Sequence, residues 1–282
     1  MRKSWITLGV LLAGVIALGV FVWLKPPKAQ APAYALSAMK AGDVRTVRVL
    51  RKGQLLAVLE KSPAEWMIIH PIQAPAEEFQ VLRLIALLDA KSTRQYPAAD
   101  RAKFELDAPQ SEVVINNQRF AFGSINAVTR EQYVLTENRI SPLALNFGAA
   151  VPVDAAALLR KTVLAPGDVP VRFDFATFKL EYQTSKWVAT PSAGELSQDD
   201  FNHWVAQWRE GSGLRTEFIA SSAKIPKPIG NVLITLKSGG KVPLDIVQRE
   251  PELIVRRPDL GLLFVFTGGI GKQMLAPPAA RK

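Results

Sequence analysis

Between residues 4 and 24 the chain carries no charge, and residues 5–24 are predominantly apolar. Twenty residues rise about 30 Å as a helix, the thickness of a bilayer's hydrocarbon core. Trp5 and Trp23 stand near the two ends of the run, with Leu12, Val20 and Leu24 along it. Trp rings favour the membrane–water interface, and Arg2 and Lys3 ahead of the run hold the N-terminus on the cytoplasmic side. A cleaved signal peptide is the alternative. Its apolar stretch is about 7–15 residues, shorter than this one, and Pro32 directly follows the small-x-small triplet Ala29-Gln30-Ala31. The pattern predicts an uncleaved transmembrane anchor whose partner is the lipid bilayer. The expected location is the bacterial inner membrane, single-pass, with the C-terminal part in the periplasm.

Beyond the anchor the pattern changes to short strand-like runs. Residues 46–50 and 55–60 read as strands around a Lys52-Gly53 turn, and residues 66–69 as a third strand ending before Pro71. Pro75 is placed to open a helix, with Glu77 and Glu78 in its first turn. Residues 79–88 hold Phe79, Val81, Leu82, Leu84, Ile85, Leu87 and Leu88, which predicts a deeply buried helix. Further strands are expected at 113–115, 119–122 and 132–135. A short helix over 154–160 follows.

The second half repeats this order. Residues 171–174, 179–182 and the strand begun by Trp187 precede Ser197, whose partner Asp200 suggests a capping box. Phe201, Trp204, Val205 and Trp208 give one apolar helical face, and strands follow at 232–236, 242–247, 253–257 and 263–266. Trp66 and Trp187 are 121 apart, Pro71 and Pro191 120, Phe79 and Phe201 122, and Val113 and Val232 119. The near-constant shift predicts a tandem duplication. The fold class expected is α+β: an N-terminal transmembrane helix, then two tandem sheet-rich units, each with one main helix packed on an antiparallel sheet. The boundaries are 1–4 cytoplasmic, 5–24 anchor, 25–40 Pro/Ala linker, 41–152 first repeat, 153–168 linking helix and loop, 169–270 second repeat, and 271–282 tail.

Composition narrows the chemistry. The chain of 282 residues has no Cys and two His, so disulfides, thiolate catalysis, zinc–cysteine sites and a multi-histidine metal centre are excluded. Net charge is +10, of which residues 1–28 supply +4. The remainder is mildly basic and forms no clustered stripe, so nucleic acid is not an expected partner.

The string Trp66-x-x-x-x-Pro71, Ala76-Glu77-Glu78-Phe79, Arg94-x-Tyr96, Phe104-x-Leu106-x-x-Pro109, Phe122-Gly123 and Gln132-Tyr133-Val134 forms a pattern with Gly42-Asp43-Val44 upstream and residues 154–159 after it. It resembles the domain of unknown function family four-three-four-zero, over about residues 40–265. The resemblance implies a bacterial membrane-anchored protein, in some members associated with ABC-type transport or gliding-motility loci. It carries over no catalytic residues. The second half lacks the Phe-Gly and Gln-Tyr-Val signatures.

Three short motifs have the order used by penicillin-binding enzymes: Ser37-Ala38-Met39-Lys40, Ser124-Ile125-Asn126 and Lys237-Ser238-Gly239. The first does not open a long helix, because Gly42 and Asp43 interrupt it, and the last reads as a hairpin turn. Asp199 and His203, four apart on a helix, are two ligands at most, and His70 reads as a strand end. Trp66 and Trp187 are candidates for stacking on a sugar or peptide, against a core-filling alternative. Arg249, Arg256 and Arg257 are candidates for an anionic partner. The expectation is a non-enzymatic binding or assembly partner of an envelope or transport complex, without a cofactor. The alternatives are a Ser-x-x-Lys enzyme acting on cell-wall peptides and a polysaccharide-binding module.

Overall fold

The computed structural model describes residues 12–16, 18–20, 33–192, 196–219 and 226–278. The body is sheet-rich, with two large antiparallel sheets and few helices. Its strands, in chain order, are β1 (Tyr34–Ala35), β2 (Thr46–Arg51), β3 (Gln54–Lys61), β4 (Trp66–His70), β5 (Ala74–Pro75), β6 (Lys91–Ser92), β7 (Tyr96–Pro97), β8 (Ser111–Ile115), β9 (Gln118–Ile125), β10 (Glu131–Thr136) and β11 (Arg139–Ala144). They continue with β12 (Pro170–Phe175), β13 (Lys179–Gln183), β14 (Lys186–Thr190), β15 (Arg215–Phe218), β16 (Gly230–Leu236), β17 (Lys241–Gln248), β18 (Leu253–Arg257) and β19 (Leu262–Phe266). The helices of the body are α1 (Glu78–Ile85), α2 (Leu145–Ala149), α3 (Gln198–Glu210) and α4 (Gly268–Leu275).

The first sheet runs β5-β4-β3-β2-β8-β9-β10-β11-β7, and the second β14-β13-β12-β16-β17-β18-β19-β15. Apart from β5 the two orders are the same. Three strands come first, then a helix, then an edge strand that pairs with the last strand of a four-strand meander. Local chemistry explains much of this. Lys52 and Gly53 both adopt positive φ, 47° and 75°, the geometry of a tight hairpin between β2 and β3. In β16, Val232, Ile234 and Leu236 are buried and alternate with half-exposed neighbours, as expected of a strand with one face on a core.

The buried positions of the two helices recur at a sequence shift of 120. Buried Val81, Leu84, Ile85 and Leu88 correspond to buried Phe201, Trp204, Val205 and Trp208. The pairing of Phe79 with Phe201 is therefore two residues out of register. Phe79 is the second residue of α1 and is 65% exposed, whereas Phe201 is the fourth residue of α3 and is buried. Leu82 is 50% exposed, so the expectation that the whole apolar run of α1 is buried also fails. Seven apolar positions in ten exceed what one helix face can turn inward. The shift changes from 121 to 120 at an irregularity in β4, where pairing with β3 slips between Ile68 and His70.

Three other expectations change. Pro75 does not open α1; it pairs with Met67 in β5, and Glu77 is the N-cap. The predicted 154–160 helix is a four-residue 3-10 turn, Ala155–Leu158. β11 escapes the sequence reading because Pro142 interrupts its pattern. The Pro142 carbonyl accepts a hydrogen bond from Ser92 Oγ at 2.8 Å. The carbonyl and nitrogen of one strand residue point the same way, so the missing N–H faces away from β10 and costs the ladder nothing.

Of the predicted anchor, Leu12 and Val20 lie in helical residues 12–16 and 18–20 and are exposed. Trp5, Trp23, Leu24 and most of the linker lie outside the described residues. Among the described residues no helix is long and apolar enough to cross a membrane.

Candidate functional site

The two sheets meet along the segment after the 3-10 turn. Asp154 opens that turn by accepting a hydrogen bond from Ala157 N–H at 2.9 Å. On one side the segment is sewn to the β5 edge. Glu77 N–H donates to Leu158 C=O (2.7 Å), Arg160 N–H donates to Pro75 C=O (3.1 Å), and Ala76 bridges Leu159. On the other side it is sewn to the β15 edge. Gly213 N–H donates to Lys161 C=O (2.8 Å), Thr216 Oγ1 donates to Arg160 C=O (2.9 Å), and Thr162 bridges Ser212. One extended segment thus serves as the strand between two sheet edges, leaving neither open there. Leu158, Leu159, Val163 and Leu164 belong to one hydrophobic cluster that spans both sheets.

Arg160 is buried at this seam and pairs with Glu65 at 2.5 Å. Burial holds the Arg160 pKa below its ordinary value, and the Glu65 carboxylate opposes that shift. Arg160 Nε has no partner among the described residues. The nearby Arg257 donates to Val163 C=O at 2.7 Å and pairs with Asp259 at 2.5 Å.

Beside the seam lies an open groove of about 560 Å3, lined by Ala150, Val153, Ala157, Lys161, Leu214 and Arg215 among others. Val153 and Leu214 are exposed apolar side chains. Arg215 is held by Glu217 (2.6 Å) and Glu252 (3.2 Å), and Asp154 is occupied as a cap. Lys161 is half-buried and makes no ion pair among the described residues. The groove offers apolar walls and, besides the paired Arg215, the cation Lys161, which suits an extended partner segment. Sequence reading missed it because its two walls, near residues 150–161 and 214–217, are distant along the chain.

The residues singled out from sequence take other places. Trp66 and Trp187 are 4% and 7% exposed, so neither is a stacking platform. Trp66 is the first residue of β4 and Trp187 the second of β14, and both rings belong to the buried core cluster. Trp187 Nε1 donates to Asn202 Oδ1 at 3.2 Å, and the ring stands 6.2 Å from Phe173. The backbone carbonyl of Trp66 accepts from Ala76 N–H at 2.9 Å. That of Trp187 accepts from the Gln198 side-chain amide at 3.2 Å, while Gln198 Oε1 accepts from Trp187 N–H at 2.7 Å. A glutamine amide there does the work of a neighbouring strand.

Ser37 Oγ donates to Gln118 Oε1 at 2.5 Å, Ser124 lies in β9 of the first sheet, and residues 237–239 form the turn between β16 and β17 of the second. No hydrogen bond joins these three segments among the described residues. His70 is exposed at the end of β4, and Asp199 and His203 are exposed on α3. Among the described residues no cluster of three or more His, Asp or Glu is placed to hold a metal ion. Arg256 is committed to Asp245, and Arg257 to Asp259 and Val163, which leaves Arg249 alone of that trio on the surface.

The chain enters the body through a fixed point. Tyr34 and Ala35 pair with Ser92 and Lys91, and Leu36 N–H donates to Ala90 C=O at 3.2 Å. Gln118 Nε2 donates to Leu36 C=O at 3.0 Å, and Asn116 Nδ2 to Asp43 C=O at 3.0 Å. Residues 90–92 directly continue α1 through the 3-10 turn Ala86–Asp89.

Compared with known proteins, the chain matches no family model, no curated protein and no solved structure.

Proposed function

We propose that this protein is a membrane-tethered, non-enzymatic binding or assembly partner within a bacterial envelope or transport complex, and that its body arose by tandem duplication of one α+β unit. Residues 41–152 and 169–270 are the two units, and the helical apolar residues near the N-terminus are part of the anchor. The duplication is supported by the shared strand order and by the buried helix positions recurring at a shift of 120. Exposed Leu12, Val15, Ile16, Leu18 and Val20 suit a segment whose solvent is lipid.

The observation that carries the assembly reading is the groove beside the seam, with apolar walls, exposed Val153 and Leu214, and the uncommitted Lys161. A segment laid there buries the two apolar side chains and brings an acidic side chain or carboxylate of its own to Lys161. The absence of Cys makes the test direct. A photo-crosslinker attached at Val153→Cys in the full-length protein in intact cells is expected to capture an envelope protein, and the Lys161→Glu background to reduce that capture. An adduct pattern identical to one from a crosslinker at Lys237→Cys, on the distant β16–β17 turn, removes the reading.

A further inference from the structure

We propose that the outer face of α1 and the 3-10 turn that continues it, formed by Phe79, Leu82 and Ala86, rests on the surface of the bilayer that holds the same chain's apolar segment. This rests on the anchor reading above.

Phe79 is 65% and Leu82 50% exposed, and with Ala86 they recur at i, i+3 and i+7, one stripe of a helix. At the shift of 120 that aligns the two buried faces, Phe79 and Leu82 stand where α3 has Asp199 and Asn202. The same place in the fold is therefore polar in one helix and apolar in the other.

Chain length brings this stripe to lipid. Ten peptide units separate Leu24 from Tyr34 and span at most about 35 Å. The chain then joins the body beside residues 90–92, which follow α1 through the 3-10 turn Ala86–Asp89. The eight residues of α1 and the four of the 3-10 turn after it are together about 20 Å long, so the stripe lies within the tether's reach.

The charges on and beside the stripe carry no basic excess: Glu77, Glu78 and Asp89 against Arg83 and Lys91. The contact is thus apolar rather than electrostatic and needs no anionic lipid. Two side chains give only weak attachment to a free body. The tether makes the contact intramolecular, so a weak affinity is enough to keep it largely formed.

The test uses the full-length chain in phosphatidylcholine vesicles, with single nitroxide labels at Leu12→Cys, Ala86→Cys and Arg209→Cys, the last exposed on α3. Collision with oxygen, which concentrates in lipid, is compared with collision with a water-soluble nickel chelate. At position 86 the oxygen-to-nickel ratio is expected to exceed that at 209 several-fold, to be unchanged by 0.5 M salt, and to fall to the 209 value when Phe79→Asp and Leu82→Asn are added. Equal ratios at 86 and 209 with position 12 in lipid overturn the docking and leave the anchor standing. An aqueous reading at position 12 overturns both. Spin–spin broadening at 86 that disappears on dilution with unlabelled protein assigns the face to a second copy and overturns the lipid contact.

Discussion

Helices α1 and α3 hold corresponding positions in the chain order of two sheets of matching strand order, yet they are held differently. α3 has thirteen residues, a Ser197–Asp200 capping box and an inner face of Phe201, Trp204 and Trp208. Trp204 stands edge-on to Phe173 at 5.0 Å and donates from Nε1 to Ala276 C=O at 2.9 Å. α1 has eight residues, no side-chain cap and an inner face of aliphatic residues. The larger helix directs its aromatics inward and is polar outside. The smaller one leaves a Phe and a Leu outside. Between the two helices, the positions that keep their character at a shift of 120 are those that fill the core. A position that changes from polar to apolar on the surface points to a use other than folding.

The sharpest test of the correspondence is Trp208→Ala against Leu88→Ala, the two residues that end the inner faces. Full burial puts the expected losses at about 4 and about 3 kcal/mol, measured by urea unfolding. A harmless Leu88→Ala breaks the equivalence. Next comes the seam. Glu65→Ala strands the buried Arg160 and is expected to cost about 3 kcal/mol, the low end for a buried pair because Glu65 reaches solvent; thermal melting measures it. Ser197→Ala removes the cap of α3 and is expected to cost about 1 kcal/mol. Glu77, at the same position of α1, makes no cap, so Glu77→Ala should leave α1 helicity unchanged by circular dichroism. A small effect is also expected of Phe79→Asp with Leu82→Asn, which writes the surface of α3 onto α1. Because both side chains are largely outside, stability should move by no more than about 0.5 kcal/mol. A larger loss means the stripe packs against the body.

Much of the sheet was legible. Hairpin chemistry at Lys52-Gly53 and at Ser238-Gly239, and alternation in β16, mark strands because the residues that build them are adjacent in sequence. The capping box of α3 was legible for the same reason. The direction of Phe79 was not. A run with apolar residues on every side does not say which face the sheet will take, and only the register with α3 resolves it. β15 (Arg215–Phe218) carries two charges in four residues and becomes a strand through its pairing with β19. The seam was also hidden: Arg160 and Glu65 are 95 residues apart, and nothing local pairs them. The candidate Trp residues were found, but aromatic identity alone does not separate a platform from a core.

The segment between the sheets has a further consequence. A protease needs a stretch of chain that can loosen and enter its cleft, and residues 158–163 are bonded on both flanks and continuous with the core. Cleavage there has to wait for the whole body to open. At this joint the two halves therefore share one fate under digestion, and neither is shed while the body stays folded.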